Sequence, residues 1–321
     1  MRRRTLGTTG FSVSELGFGA WGIGKSGWIG ADDEESGRAL RRALELGVTF
    51  IDTAYGYGDG HSERLVGAAV RAAGGDVRVA SKIPPKNRQW PARAGIPADE
   101  AFPAAWMIEC TERSLENLGV ETIDLQQLHV WSDDWVGQGD WLDGVERLKR
   151  DGKIRGFGVS INDHEPANAL RLVATGVVDS VQVIYNIFDQ SPEDELYPAA
   201  AAANVGVIAR VPFDEGSLTG AIRPETTFPA GDFRNRYFAG GRRQEVWSRV
   251  QAIAADLDMP PERLPEIALR FCLSHPAVST AIPGMRTTRN VERNVAAVEA
   301  GPLSETELAA LRRHRWVVNF Y

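Results

Sequence analysis

An aspartate, a tyrosine, a lysine and a histidine stand at or just past the ends of short apolar segments. Segment 48–51 runs into Asp52 and then Tyr57, within Phe50-Ile51-Asp52-Thr53-Ala54-Tyr55-Gly56-Tyr57-Gly58. Segment 77–80 runs through Ser81 into Lys82, segment 123–128 into His129, and segment 157–159 into Ser160 and Asn162. In a barrel or open sheet of parallel strands, those ends form the face where ligands bind and chemistry occurs. A carboxylate, a phenol, an amine and an imidazole gathered there would make a proton-transfer site.

The elements that must position these groups alternate in type. Residues 3–16, arranged about Gly7 and Gly10, read as a hairpin. Strand-like segments follow at 16–20, 48–51, 77–80, 123–128, 154–159, 180–184, 205–209 and 277–282. Asp32 caps a helix whose first turn holds Asp33, Glu34 and Glu35, favourable at the positive end of the helix dipole. Further helices are predicted at 62–72, 103–118 (stopped by Gly119), 141–150 and 165–174, then after Ser191-Pro192, a favoured start, and at 244–255, 262–273 and 288–300. A last helix carries the capping box Ser304-x-x-Glu307. Roughly eight strand–helix units predict a (β/α)8 TIM barrel with an N-terminal β-hairpin and an additional C-terminal helix. A doubly wound sheet would instead show GxGxxG after its first strand, and Gly17, Gly19, Gly22 and Gly24 lack that spacing. No composition break divides residues 1–321, which read as one domain.

The 321 residues are 43% hydrophobic, ample for a core. With 43 acidic against 36 basic residues the net charge is −7, so nucleic-acid binding has no global electrostatic support. The two cysteines, Cys110 and Cys272, sit in helix-like stretches and read as structural thiols. No CxxC or HExxH spacing points to a metal. The basic start Met1-Arg2-Arg3-Arg4 has no apolar segment after it, and no run approaches the ~18 apolar residues of a membrane span. The chain therefore reads as soluble and cytoplasmic, without a membrane partner; monomer and homo-oligomer both stay open.

Five motifs in order carry a resemblance. Asp52-Thr53-Ala54 with Tyr57-Gly58 and Ser62-Glu63, then Ser81-Lys82, Asp124-Leu125 with His129, Gly158-Val159-Ser160 and Ile282-Pro283-Gly284 resemble the aldo-keto reductase family over nearly the whole chain. The resemblance implies a barrel that binds NADPH, with NADH as the alternative, and reduces a small-molecule carbonyl substrate to an alcohol. It implies Tyr57 as general acid, Lys82 as its tuner, Asp52 as the partner of Lys82, and His129 as a donor to the carbonyl oxygen. The chemistry agrees. A free phenol has a pKa of about 10, too high for fast two-way transfer near neutrality, and a nearby ammonium lowers it. Tyr57 is preferred over Tyr55 because the family pattern puts the tyrosine directly before glycine.

The same resemblance implies cofactor contacts. Ser160 and Gln182 would hold the nicotinamide carboxamide. The loop from Pro212 to Leu218, with Phe213 and Ser217, would cover the pyrophosphate. Gly284, Met285 and Arg286, with Asn290 and Asn294, would surround the adenosine end. Three positions depart from the pattern. Ile161 replaces an asparagine after the serine, so its contact is either lost or taken over by Asn162. Arg210 replaces an aromatic ring; a guanidinium can also stack on a planar ring, favouring the reduced nicotinamide, or reach instead to a substrate anion or the pyrophosphate. Gly284 replaces a basic residue, leaving a 2′-phosphate to Arg286, Arg289 or Arg293.

Of the nine tryptophans, Trp21 and Trp131 are expected to line the substrate pocket with Tyr55. Trp90 and Trp135 are equally well read as loop packing. Aromatic walls favour an apolar or ring-shaped carbonyl, sugars included. Long substrate-gripping tails of some relatives have no counterpart after His314, which places selectivity in the loops after Ile83, Trp131 and Pro212. Two competing readings are a non-catalytic regulatory barrel resembling the potassium-channel β subunits, and a lyase or isomerase using Lys82 in a Schiff base.

Overall fold

The computed structural model describes residues 1–321. A hairpin of β1 (Arg3–Thr5) and β2 (Ser12–Ser14) comes first, with Arg4 opposite Val13. Eight parallel strands follow in chain order: β3 (Phe18–Gly19), β4 (Phe50–Asp52), β5 (Arg78–Ile83), β6 (Ile123–Leu128), β7 (Ile154–Ser160), β8 (Ser180–Ile184), β9 (Gly206–Arg210) and β10 (Val278–Ala281). Each pairs with its neighbours in sequence. The circle closes between the first and last of these strands. Gly17 N donates to the Ala281 carbonyl at 2.8 Å, and Gly19 N to that of Pro283 at 3.0 Å. The sheet is therefore a (β/α)8 barrel, as its pattern predicts.

The helices are α1 (Asp33–Glu45), α2 (His61–Ala73), α3 (Ala98–Ala101), α4 (Ala104–Leu118), α5 (Trp141–Arg150), α6 (Leu170–Thr175), α7 (Leu196–Ala202), α8 (Arg234–Tyr237), α9 (Arg242–Asp256), α10 (Leu264–Ser274), α11 (Thr288–Glu299) and α12 (Glu305–Arg312). Asp32 caps α1 through the Glu35 N–H, Gly119 stops α4 at φ +65°, and Ser304 and Glu307 form the capping box of α12. The expected helix 165–174 shrinks to α6, because Asn162 is tied to Glu165 and His164 takes a left-handed φ of +60°. Ser191-Pro192 opens a 3-10 turn rather than α7 itself. The short helices α3 and α8 lie inside segments that read as loops. No helix is long and apolar enough to cross a membrane. Burial pushes the Cys110 thiol up to about 12 and that of Cys272 up as well, so both thiols are inert near neutrality.

A cluster of 72 buried residues packs strands against helices. A second cluster of Leu6, Val13, Phe50, Ala80, Leu125, Ile208 and Ile282 joins the hairpin to the inside of the barrel. Gly7 shows how close that plug sits. It has a φ of +51°, and a Cβ there would lie 2.2 Å from Gly206 N. Gly7→Ala should lower stability by about 2–4 kcal/mol, since both the backbone and its neighbour are fixed. Denaturant unfolding of the variant measures the loss.

Candidate active site

Side chains two apart on a strand share a face. Phe50, Ala80, Leu125 and Ile208 form the apolar inward layer. Two residues further along come Asp52, Lys82, Gln127 and Arg210, and these make a polar layer at the C-terminal mouth. Lys82 (0% exposed) and Asp52 (2%) form a buried ion pair. Lys82 Nζ also donates to the Thr53 carbonyl at 2.9 Å and to the Tyr57 hydroxyl at 3.2 Å. The second oxygen of Asp52 accepts from Gln182 at 2.8 Å and Gln127 at 3.2 Å. β5 extends to Ile83, so Lys82 lies within the strand rather than past it. Tyr57 sits in the turn after β4, and Gly58 beside it has a φ of +69°. A Cβ on Gly58 would fall 1.9 Å from the Gly24 carbonyl oxygen, so the turn needs a glycine there.

His129 follows β6, with its ring 5.5 Å from that of Tyr57. Burial, helped by the charges of Lys82 and Arg210, holds its pKa well below the ordinary value, so the imidazole is neutral. For Lys82, burial opposes the charge, yet Asp52 and Tyr57 more than offset it and the pKa is raised. For Tyr57 the net direction differs from the expected lowering. Burial raises the phenol pKa, and the opposing pull of the Lys82 ammonium does not overcome it. Tyr57 is therefore a protonated phenol at neutral pH.

The four candidate proton-transfer residues thus meet at one end of the barrel. Other expected residues do not. Tyr55 accepts a hydrogen bond from Arg113 of α4 at 3.1 Å, because the turn directs the two tyrosines apart and Tyr55 toward the outer helices. Trp131 is fully buried, donating to Asp133 at 2.9 Å and packed on Trp135 and Trp141, so it props loops instead of lining the pocket. Trp21 stays at the mouth, 6.5 Å from Tyr57 and 5.2 Å from Phe233. Trp90, 48% exposed, stands edge-on to His129 at 4.5 Å. The end of the chain also returns to the mouth, against expectation. Trp316 N bonds the Phe188 carbonyl at 2.8 Å, and Tyr321 donates to Glu215.

The expected cofactor residues follow one arc of the rim. Ser160 is a buried residue at the end of β7. Gln182 gives its amide N–H groups to Asp52 and Gln127 (3.2 Å), leaving its Oε1 without a protein donor. Asn162 is not available in the same way. Its amide donates to the Ala92 carbonyl and to Glu165, both at 2.9 Å, and its Oδ1 accepts from Ala92 N at 3.0 Å, so it staples a loop. Arg210 pairs with Asp163 at 2.5 Å and donates to the Ile161 carbonyl at 3.0 Å, while its Nε has no partner. Pro212, Phe213, Ser217 and Leu218 belong to a segment with left-handed Val211, Asp214 and Glu215. Leu218 and Met285 bury their side chains in the core. A Cβ on Gly284 would meet open space. Arg286 donates to the Ile29 carbonyl at 3.1 Å. Asn290 lies exposed in the first turn of α11, and Asn294, one turn on, is buried with its Nδ2 unpartnered. Two groups escaped the motif reading: Gln127, signalled only as an amide inside an apolar strand, and Asp163, the partner of Arg210.

A barrel with this layer at its mouth defines a class of carbonyl oxidoreductase, and comparison with known proteins agrees. The model of the Aldo/keto reductase family matches residues 15–315, and the chain belongs to that family. It is 31% identical to aldo-keto reductase YhdN of Bacillus subtilis (strain 168), covering 91% of this chain and 87% of that one. Among solved structures it is similar to the holo form of aldo-keto reductase AKR11C1 from Bacillus halodurans. That match has a TM-score of 0.76 and 29% identity, over 98% of this chain and 96% of the other. It is likewise similar to glycerol dehydrogenase AKR11B4 from Gluconobacter oxydans, with a TM-score of 0.77 and 27% identity over 97% and 94%. Members of the family are oxidoreductases that act on carbonyls with NAD(P)H.

Two outcomes test the electrostatics. Lys82→Met leaves Asp52 buried and unpaired and should cost about 3–5 kcal/mol of stability, read by denaturant unfolding. Because the Tyr57 pKa is raised, its phenolate should form only above pH 10. The difference in ultraviolet titration between wild type and Tyr57→Phe should show no phenolate signal below that pH.

Proposed function

We propose that this chain reduces an aldehyde or ketone to an alcohol with NADPH, and that Tyr57 delivers the proton. The observation that carries the proposal is the single buried ammonium shared by Asp52, the Thr53 carbonyl and the Tyr57 hydroxyl, with neutral His129 alongside. A protonated phenol and a neutral imidazole each have a hydrogen to give to one oxygen. Both suit a carbonyl oxygen that gains negative charge. As Tyr57 releases its proton, the Lys82 ammonium stabilises the phenolate left behind. With three acceptors, the Lys82 ammonium has no free N–H and a raised pKa, which argues against a Schiff-base nucleophile.

The residues along the rim fit a nicotinamide dinucleotide. The open space at Gly284 and the unpartnered Asn294 Nδ2 and Arg210 Nε are groups that a bound ligand can satisfy. When bound, the reduced nicotinamide supplies the hydride. Ser160 and the free Oε1 of Gln182 are the proposed holders of its carboxamide, the 212–218 segment of its pyrophosphate, and Gly284, Arg286, Asn290 and Asn294 of its adenosine end. Arg286, Arg289 and Arg293 offer cations for a 2′-phosphate, which favours NADPH over NADH. Trp21 and Trp90 flank the proton donors, so an apolar or ring-faced carbonyl compound is the proposed substrate class.

Replacing Tyr57 by Phe should lower carbonyl turnover by about 10²–10⁴-fold while NADPH still quenches tryptophan fluorescence. Equal turnover in the variant and wild type would remove Tyr57 as the acid. Parallel titration with NADPH and NADH tests the cofactor preference, and tighter NADH binding would reverse it.

A further inference from the structure

Two consecutive side chains at the start of α2 reach back under the site. Ser62 donates to the Ala20 carbonyl at 3.0 Å and bonds the Thr53 hydroxyl at 2.8 Å. Glu63 accepts from the Ser81 hydroxyl at 2.5 Å and from the Asn117 amide at 2.9 Å. Thr53, Ser62, Glu63 and Ser81 are all 0% exposed. Their chain neighbours are the ion pair: Thr53 follows Asp52, and Ser81 precedes Lys82. Along β5 successive side chains alternate between faces, so Ser81 points out to α2 at the level where Lys82 points in.

We propose that Glu63 is a positioning residue for Lys82. Through Ser81 it fixes the height of β5, and so the place of the Lys82 ammonium between Asp52 and Tyr57. A buried carboxyl group is costly without hydrogen-bond partners, and this one has two donors on two different elements, β5 and the last turn of α4. An apolar side chain would fill the same space without specifying register. Burial pushes the Glu63 pKa up, and the Ser81 bond pulls against that. Either protonation state keeps an acceptor for Asn117. The kinetic consequence rests on the carbonyl-reductase reading of the site; the structural link between Glu63 and Lys82 does not.

The test is a double-mutant cycle in unfolding equilibria with Glu63→Ala and Lys82→Met, run beside kinetics. A positioning role predicts coupling: Glu63→Ala should change the unfolding constant at least threefold less in the Lys82→Met background than in wild type, on the order of contact couplings. Additive effects overturn the proposal. In kinetics, normalised to sites titrated by NADPH quenching, Glu63→Ala should lower kcat about 10-fold or more with KM for NADPH within about twofold. Glu63→Gln should restore most of the rate, because its carbonyl can accept from Asn117 and its amide can donate to Ser81 Oγ. Ser81→Ala removes the same link while the Glu63 carboxyl keeps its bond from Asn117, and serves if Glu63→Ala does not fold; unchanged kcat in an active enzyme overturns the proposal. If wild type turns over no faster than Tyr57→Phe, the function reading fails on its own, and the unfolding cycle still decides the role of Glu63.

Discussion

The buried pairing of Lys82 with Asp52 is the interaction on which the rest of the structure depends. Taking two ions out of water costs several kcal/mol each, and proximity alone does not offset that. Hydrogen bonds to the remaining atoms do. Asp52 is closed by amides from β6 and β8, and Lys82 by the Thr53 carbonyl and the Tyr57 phenol. These partners come from strands far apart in sequence and converge only when the sheet curls shut. The hydrogen bonds from Gly17 and Gly19 to the last strand's end are therefore also conditions for the site. The hairpin plug and the apolar layer above it keep water from the far side of the pair.

The charges then sort the proton states. Lys82 and Arg210 both face His129, so a third cation there is unfavourable and the ring stays neutral. Asp163 compensates the guanidinium of Arg210, without which an unpaired cation would sit beside Tyr57. The phenol stays protonated because burial resists a second buried anion next to Asp52. The result is a mouth whose resting state offers hydrogen-bond donors to an incoming oxygen. That polarity favours transition states in which the oxygen gains charge.

Much of this was legible in local pattern. Phe50-x-Asp52, Ala80-x-Lys82, Leu125-x-Gln127 and Ile208-x-Arg210 are the same step from apolar to polar, repeated where each strand meets the mouth. Period two carries such information without any knowledge of tertiary contacts. Side-chain direction in turns has no such period. Tyr55 and Tyr57 are identical in type, and only the turn geometry around Gly58 sends one outward and one to Lys82. Trp131, expected in the pocket, and Trp90, equally well read as loop packing, take other places for the same reason: one loop folds under itself and the other leans on His129. The occupation of Asn162 is invisible in local pattern because its partner, Ala92, lies 70 positions away.

The return of the chain end shows how a distant segment can shape the rim. Val211, Asp214 and Glu215 hold left-handed backbone directly after Arg210, and such residues cost on the order of 1–3 kcal/mol each unless their surroundings fix them. Here Tyr237 donates to Asp214 at 3.2 Å and Tyr321 to Glu215, while Phe233 stacks between Trp21 and Tyr321. Burial pushes the Glu215 carboxyl up to about 7, so it changes charge near neutrality while held by a phenol that can donate to either form. The left-handed turn, the loop and the tail thus stabilise one another around Arg210. Through Phe233 and then Trp21, whose ring lies 6.5 Å from that of Tyr57, the loop and the tail connect to the site.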